Sequence, residues 1–365
     1  MLGPQLSLVD RHHVLFRGKK LLYFAGTDYH RLSSHRDVIQ AAVRAAEQYG
    51  LNPGGSRTTT GNHPLYARLE EKIARFFESE SATVFASGYL SNLIALQAVA
   101  HRFTHFFIDE QAHSSITDAT SLFSQPAIFF RHLDAEHLQT LLNKHATRSF
   151  RPLVLTDGVF PSRGEMAPLQ EYINLVQPYE GKVLVDDAHA MAVAGATGKG
   201  SWEALSVDRS FIYQTGTLSK GFGAAGGIIP GTRQLIHPIH QKSLAFSGST
   251  GLALPMAAAA LRALELIQQH PEWIGSLQQT ALELKSIFQS MGFDLPLSPT
   301  PIFSLTFYNT RKNNKFYHHL IEKGIYPPYI HYPGAPEGGH FRFVVTSAHT
   351  REHIERLIDA VQSFL

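Results

Sequence analysis

The chain of 365 residues contains no cysteine. That excludes disulfides, thiolate metal sites and a cysteine nucleophile. Charge is sparse and balanced: 17% of residues are charged, and the formal net charge is +2. So small a surplus gives no broad cationic surface for nucleic acid. Long apolar runs are missing too. No window approaches the ~18 uninterrupted apolar residues of a membrane span. The first ten residues carry no basic segment followed by an apolar run, so no secretory signal is expected there. Repeats and low-complexity linkers are absent. The 44% of hydrophobic residues suffice for a sizeable core. A soluble, cytoplasmic α/β protein is expected, with two domains or one large domain and a smaller attachment.

The middle of the chain alternates short β-branched or aromatic runs with amphipathic stretches. Ala82–Ala86, His105–Ile108, Ala127–Phe130, Leu153–Thr156, Lys182–Val185 and Phe211–Gln214 read as strands. Several are apolar at consecutive positions, which suits strands buried on both faces. Ala135–Asn143 and Leu169–Gln177 read as helices between them. This βαβα rhythm predicts a mainly parallel sheet covered by helices. Beyond Pro255 two long helices (Met256–Gln269, Gly275–Met291) precede strands Ile302–Phe307 and Phe341–Val345 and a last helix capped by Thr350. The expected division is an N-terminal segment 1–50, a large domain 51–260 and a small α+β domain 261–365, with the boundary inside a helix.

Four places carry candidate chemistry. Thr215–Gly227 reads TGTLSKGFGAAGG. A solvated loop lysine is the plain reading of Lys220, yet so flexible and hydroxyl-rich a run would let a buried lysine approach a ligand. A desolvated lysine is a nucleophile toward carbonyls. Asp186-Asp187-Ala188-His189 follows a strand, where open α/β sheets bind ligands. Asp often merely ends a strand, but Asp186 can face a pyridine nitrogen and keep it protonated while His189 touches the same ring. Ser87-Gly88-Tyr89 joins a strand to a helix, where free N–H groups suit either turn capping or a phosphate. His113, in DEQAHSS, is either a polar loop residue or a ring that lies flat on an aromatic ligand.

Other matches fail. Gly221–Gly226 fits GxGxxG but leads into GIIP, a strand, with no acidic residue about 20 positions on. GATGKGS (195–201) has Val193 and Gly200 where a P-loop needs glycine and Ser or Thr. FSGSTG (246–251) lacks the first glycine of a nucleophile elbow. The histidines form no HExxH pattern, and no metal is expected.

The order SGY, His113, Asp186/His189, Lys220 resembles the α-oxoamine synthases, fold-type I pyridoxal-phosphate enzymes. The likeness is to the 8-amino-7-oxononanoate synthase and 2-amino-3-ketobutyrate CoA ligase kind. It runs over roughly residues 20–360 and includes GGSRTTTGNHPLYARLEEKIARF (54–76), SGYLSN (87–92), DEQAHSS (109–115), TDGVFPSRGEMAPL (156–169), VDDAHAMAVAGATGKGS (185–201), TLSKGFG (217–223) and FRFVVTSAH (341–349). VDDAH with TLSKGFG is highly specific. The resemblance implies pyridoxal 5'-phosphate as cofactor, with Lys220 as the Schiff-base lysine and Asp186 at the pyridine nitrogen. It places His189 at the ring hydroxyl, His113 stacked on the ring, and Ser87, Gly88, Tyr89 and Thr217 at the phosphate. A hydroxyl from a partner subunit, Ser249 or Thr250 here, completes that phosphate site in a homodimer with shared active sites. The implied activity, in biotin biosynthesis or a related route, is condensation of an amino acid with an acyl-CoA or acyl-carrier thioester to an α-amino ketone. An aminotransferase, or a paralogue that keeps the cofactor without catalysis, is the alternative.

Departures from the family pattern fall on the substrate side. Its N-terminal helical arm is largely missing, Thr27 stands for the usual Asn before Asp28-Tyr29, and Pro161 for a Ser. Where an Arg is usual before Pro-Pro, the chain reads Ile325-Tyr326-Pro327-Pro328. Arg342 aligns with a family arginine in the following strand. Arg342, Tyr326 and Thr27 are therefore the expected substrate residues.

Overall fold

The computed structural model describes residues 3–330 and 338–365. Three short strands open the chain as a meander: β1 (Ser7–Leu8), β2 (His13–Phe16) and β3 (Lys19–Leu22). A sheet of seven follows: β4 (Ser81–Phe85), β5 (His105–Asp109), β6 (Ala127–Phe130), β7 (Pro152–Asp157), β8 (Lys182–Asp186), β9 (Ile212–Thr217) and β10 (Gly227–Gly231). Its spatial order is β4-β10-β9-β8-β7-β5-β6, and only β10 runs against its neighbours. All six residues of β7 are buried, which is why these strands show apolar runs instead of alternation. All six expected strands are present, each within a residue or two of its expected start, though β9 runs on to Thr217; GIIP lies within β10.

The C-terminal part carries β11 (Ile302–Leu305), β12 (Tyr329–Ile330) and β13 (His340–Val344) in the order β11-β13-β12. The helices Leu254–Gln269 and Glu272–Ser290 lead into it. Helix Arg351–Gln362 closes the chain, with Thr350 and His353 forming a reciprocal cap at its start. Helices Arg36–Tyr49, Arg233–Lys242 and Thr310–Glu322 were not expected from the sequence.

The N-terminal stretch does not stand apart. Leu22 bridges Ile325, and the Val344 N–H donates to the Phe24 carbonyl at 2.9 Å. The Ser347 N–H donates to the Tyr29 carbonyl at 3.0 Å. Leu22, Phe24 and Tyr29 share one apolar cluster with Phe303, Phe341 and Phe343. Residues 22–29 thus pack with the C-terminal sheet while reaching the edge of the large one.

Candidate active site

Parallel strands end on one side, and their carboxyl ends deliver the site. β5 leads to His113, β7 ends at Asp157, β8 at Asp186, and β9 at Thr217, three residues before Lys220. β4 leads to Ser87. A cavity of about 260 Å³ at this edge is lined by Ser87, Gly88, Tyr89, His113, Asp186, His189, Thr217 and Lys220 together. A larger one, about 380 Å³, opens at the opposite strand ends among Arg102, Lys182 and Arg209 and holds none of these residues.

The two adjacent aspartates point to different worlds. Asp186 Oδ2 accepts from Asn92 Nδ2 at 2.7 Å and Oδ1 from the Ala188 N–H at 3.0 Å, on the cavity wall. Asp187 turns inward. It accepts from Ser201 Oγ at 2.6 Å, the Ser201 N–H at 3.1 Å and Gln214 Nε2 at 2.7 Å. Burial lifts the Asp187 carboxyl to about 6 against these donors. Asn92 is itself held by the Thr215 hydroxyl at 2.7 Å.

Asp157 lies beside Asp186 in register on β7 and is fully buried. Desolvation, then the charge of Asp186, raises its carboxyl well above the usual range. Its Oδ2 accepts from the His113 N–H at 2.7 Å. The His113 ring caps the helix Ser114–Thr120 through Nδ1, which accepts from the Ser115 N–H at 3.2 Å and meets Ser115 Oγ at 2.8 Å. Burial lowers its pKa, so the ring is held in place and biased to neutrality.

Lys220 Nζ meets His189 Nε2 at 2.7 Å, and His189 Nδ1 meets the Tyr29 hydroxyl at 2.6 Å. Burial brings the Lys220 amine down to about 8, with Asp186 and Asp157 opposing. Burial, then Lys220 and Arg342, pushes His189 well below its usual value. A lysine tuned this way carries roughly a tenth of its population as free amine at pH 7, far more than an ordinary lysine does.

At Gly88 a Cβ would come within 2.5 Å of Thr217 Oγ1, so the chain passes there only as glycine. The Thr217 hydroxyl donates to the Gly226 carbonyl at 2.9 Å and accepts from the Ser219 N–H at 3.1 Å. Ser87 Oγ accepts from the Tyr89 N–H at 3.3 Å. The Tyr89 side chain is half exposed and bonds Asp118. Hydroxyls and backbone thus crowd one end of the cavity opposite the carboxylates.

The remaining expected residues separate. Arg342 extends from β13 between the two parts of the molecule, donating to the Pro161 carbonyl and, at 3.4 Å, to the Gly26 carbonyl. Its charge acts on Lys220, His189 and Tyr29. Tyr326 departs from expectation. It is buried against Phe16 and Tyr23, at ring distances of 5.4 and 5.5 Å, in the cluster under the meander, and lines none of the cavity. Its N–H is tied to the Leu22 carbonyl, which fixes the segment to β3. Thr27 is half-buried next to Gly26 and does not line the cavity either. Ser249 donates to the Ala245 carbonyl and Thr250 is exposed; neither reaches the cavity of its own chain. Asn92, Asp157 and Tyr29 were missed as site residues. The signal for Asp157 was present: LVLTD closes a buried strand as KVLVD does.

Residues 19–361 match the aminotransferase class I and II family. An 8-amino-7-oxononanoate synthase from Thermosipho melanesiensis is 33% identical over 93% of this chain and 86% of its own. The chain belongs to the α-oxoamine synthases within that family. Among solved structures, serine palmitoyltransferase from Sphingomonas wittichii matches with a TM-score of 0.91 at 23% identity, covering 100% of this chain and 92% of that one. The 8-amino-7-oxononanoate synthase from Francisella tularensis matches with a TM-score of 0.79 at 23% identity, covering 94% and 97%. Both share the fold-type I arrangement. The α-oxoamine synthases use pyridoxal phosphate, and this cavity fits it on its own chemistry. It offers a carboxylate, Asp186, at one wall, a desolvated amine, Lys220, and a hydroxyl-lined end that only Gly88 leaves open. Among the described residues no group of three His, Asp or Glu is arranged to hold a metal ion.

Proposed function

We propose that the protein condenses an amino acid with an acyl thioester to an α-amino ketone, as an 8-amino-7-oxononanoate synthase does. The convergence of Lys220, His189 and Asp186 on one cavity, with Arg342 at its margin, carries the reading, and the full-length likeness to named synthases sets the reaction class. Pyridoxal phosphate, when bound, supplies the aldehyde and the electron-withdrawing ring. Asp186 would hold the ring nitrogen protonated, its carboxylate aimed by Asn92 and the Ala188 N–H. His113 would cover the ring face and His189 the ring hydroxyl. Ser87, Gly88, Tyr89 and Thr217 would hold the phosphate. Lys220 would bind the aldehyde and, as free amine, move the proton at the substrate Cα. Thiol release from an acyl-CoA, dependent on an added amino acid, tests the reading. Amino transfer to a keto acid without thiol release would favour an aminotransferase instead.

Arg342, whose charge is felt at Lys220 and His189, is the candidate for meeting the substrate carboxylate. A charged hydrogen bond of that kind is worth roughly 1.5–3 kcal/mol, or about ten- to a hundredfold in affinity. Arg342→Ala should weaken amino-acid binding by that factor in a spectral titration. Tyr326→Phe should leave it unchanged, because the ring is packed away from the cavity. A large effect of Tyr326→Phe alone would reverse the two roles.

A homodimer belongs to the same proposal. Its support is the segment 244–251, where Leu244 is 77% exposed and neither Ser249 nor the exposed Thr250 lines the cavity of its own chain. Ile39 and Val43 also lie exposed on one helix. Sedimentation should show a dimer, and Thr250→Ala or Ser249→Ala should loosen cofactor retention. A monomer with full cofactor affinity would refute shared sites.

A further inference from the structure

The Tyr29 side chain is fully buried, 160 residues from its partner in the chain, and is delivered by the stretch that packs on the C-terminal sheet. Its neighbours fix where protons sit. Its hydroxyl proton is fully buried and needs an acceptor. Among the described residues the acceptor it meets is His189 Nδ1, at 2.6 Å. A ring that accepts at Nδ1 and is neutral carries its proton on Nε2. That proton faces Lys220 Nζ at 2.7 Å. An ammonium cannot accept it, whereas a free amine can.

The opposite arrangement, with Lys220 charged, needs Nε2 to accept and Nδ1 to donate to Tyr29. The tyrosine oxygen would then receive the ring N–H, and its own hydroxyl proton would be buried without an acceptor. Charges act on Lys220 in both directions, Asp186 and Asp157 against Arg342, while Lys220, Arg342 and His113 all push His189 toward its neutral form, as this direction of the hydrogen-bond chain requires.

We propose that Tyr29 is a positioning residue: its hydroxyl fixes His189 with the proton on Nε2 and so favours the free-amine form of an unbound Lys220. The neighbouring residues brace the same segment. His30 bonds the Ala192 carbonyl at 2.6 Å on the loop after His189 and Ser347 Oγ at 3.0 Å on the C-terminal part. Gly223, on the loop after Lys220, has room for no Cβ because the Ser33 nitrogen would lie 2.4 Å from it. Residues 29–33 thus hold both catalytic loops at once.

The inference rests on Lys220 being the cofactor-binding lysine, and the two can be tested apart. Full-length protein, stripped and reloaded with pyridoxal phosphate, should gain cofactor on Lys220, as identified by borohydride reduction and peptide mass. Loading elsewhere would refute the lysine assignment. For Tyr29, the loading rate should rise with pH through a midpoint near 8 in the parent. In Tyr29→Phe the midpoint should move up by half a pH unit or more, about threefold in the free-amine fraction at neutral pH, while the high-pH rate stays the same. In a His189→Asn background the same change should move nothing. An unchanged midpoint with a lowered melting temperature would show a structural tyrosine only. A shift that persists without His189 would mean that it acts by another route. Should Tyr29→Phe not fold, ring ¹⁵N shifts of His189 in the unmodified stripped protein decide: a proton on Nδ1 at pH 8.5 would overturn the proposal.

Discussion

Lys220→Ala should leave a folded protein without turnover and without any borohydride-reducible link to its cofactor. The lysine stands at the end of β9 on a loop that packs beneath residues 32–33, and the sheet does not depend on its side chain. Its amine is buried and brought down to about 8 mainly by desolvation, so its loss removes a strained group and no structural ion pair. The functional loss is much larger. Proton transfer by a positioned base is worth roughly 10²–10⁴-fold on its own, and in the proposed function the same amine anchors the aldehyde. Added methylamine should restore part of the rate by supplying a diffusible base. Melting temperature separates the two effects, since a variant that is inactive because it is unfolded would melt early. A reducible covalent adduct that survives in Lys220→Ala would move the role to another lysine. Lys285 is the other deeply buried one; it is brought down to about 7 by burial, yet it is saturated by Ser298 and Thr300 at 2.8–3.1 Å and does not line the cavity.

The chemistry-bearing part of this site was readable because it is local. Ser87 and His113 follow strands and Asp186 and Thr217 close them, most of these strands announce themselves by apolar runs, and parallel strands must end on the same side. What the sequence hid is what only tertiary packing creates. Tyr29 reaches His189 across 160 residues, and Asn92 reaches Asp186 across 94. Neither pairing leaves a periodic trace. The meander was invisible for another reason: its strands have two to four residues and alternate weakly, as in Lys19–Leu22, with two exposed lysines before two buried leucines. Tyr326 shows how a motif misleads when its surroundings have changed. Ile-Tyr-Pro-Pro occupies a stretch whose family counterpart faces substrate, but a tyrosine there finds Phe16, Tyr23 and Leu21 and completes an apolar cluster instead.

The sharpest discrimination concerns Asp186 and Asp187, neighbours with opposite duties. Asp186→Asn should keep the cofactor and the fold but lower activity by several orders of magnitude, because a neutral amide cannot balance a protonated pyridine nitrogen. The amide oxygen keeps one of the two donors, Asn92 Nδ2 or the Ala188 N–H, and its NH2 faces the other, but this happens on the cavity wall, so the fold loses one hydrogen bond and no more. Asp187→Asn should do the reverse. Its carboxylate accepts three hydrogen bonds from Ser201 and Gln214 deep in the protein. An amide there keeps its oxygen for the Ser201 N–H and Gln214 Nε2, but its NH2 meets only the Ser201 hydroxyl, which must turn to accept, and the second N–H is left buried and unpaired at about 1–3 kcal/mol. Gly158 and Gly200 offer no relief, since both already lie so close to this carboxylate that an added Cβ would come within 2.3 Å of it. The expected outcome is a melting temperature several degrees lower with most of the catalytic rate per folded molecule retained. Rate and stability measured on the same samples decide the matter: a stable, nearly inactive Asp187→Asn beside an active Asp186→Asn would exchange the two assignments, and with them the direction in which the ring must lie in the cavity.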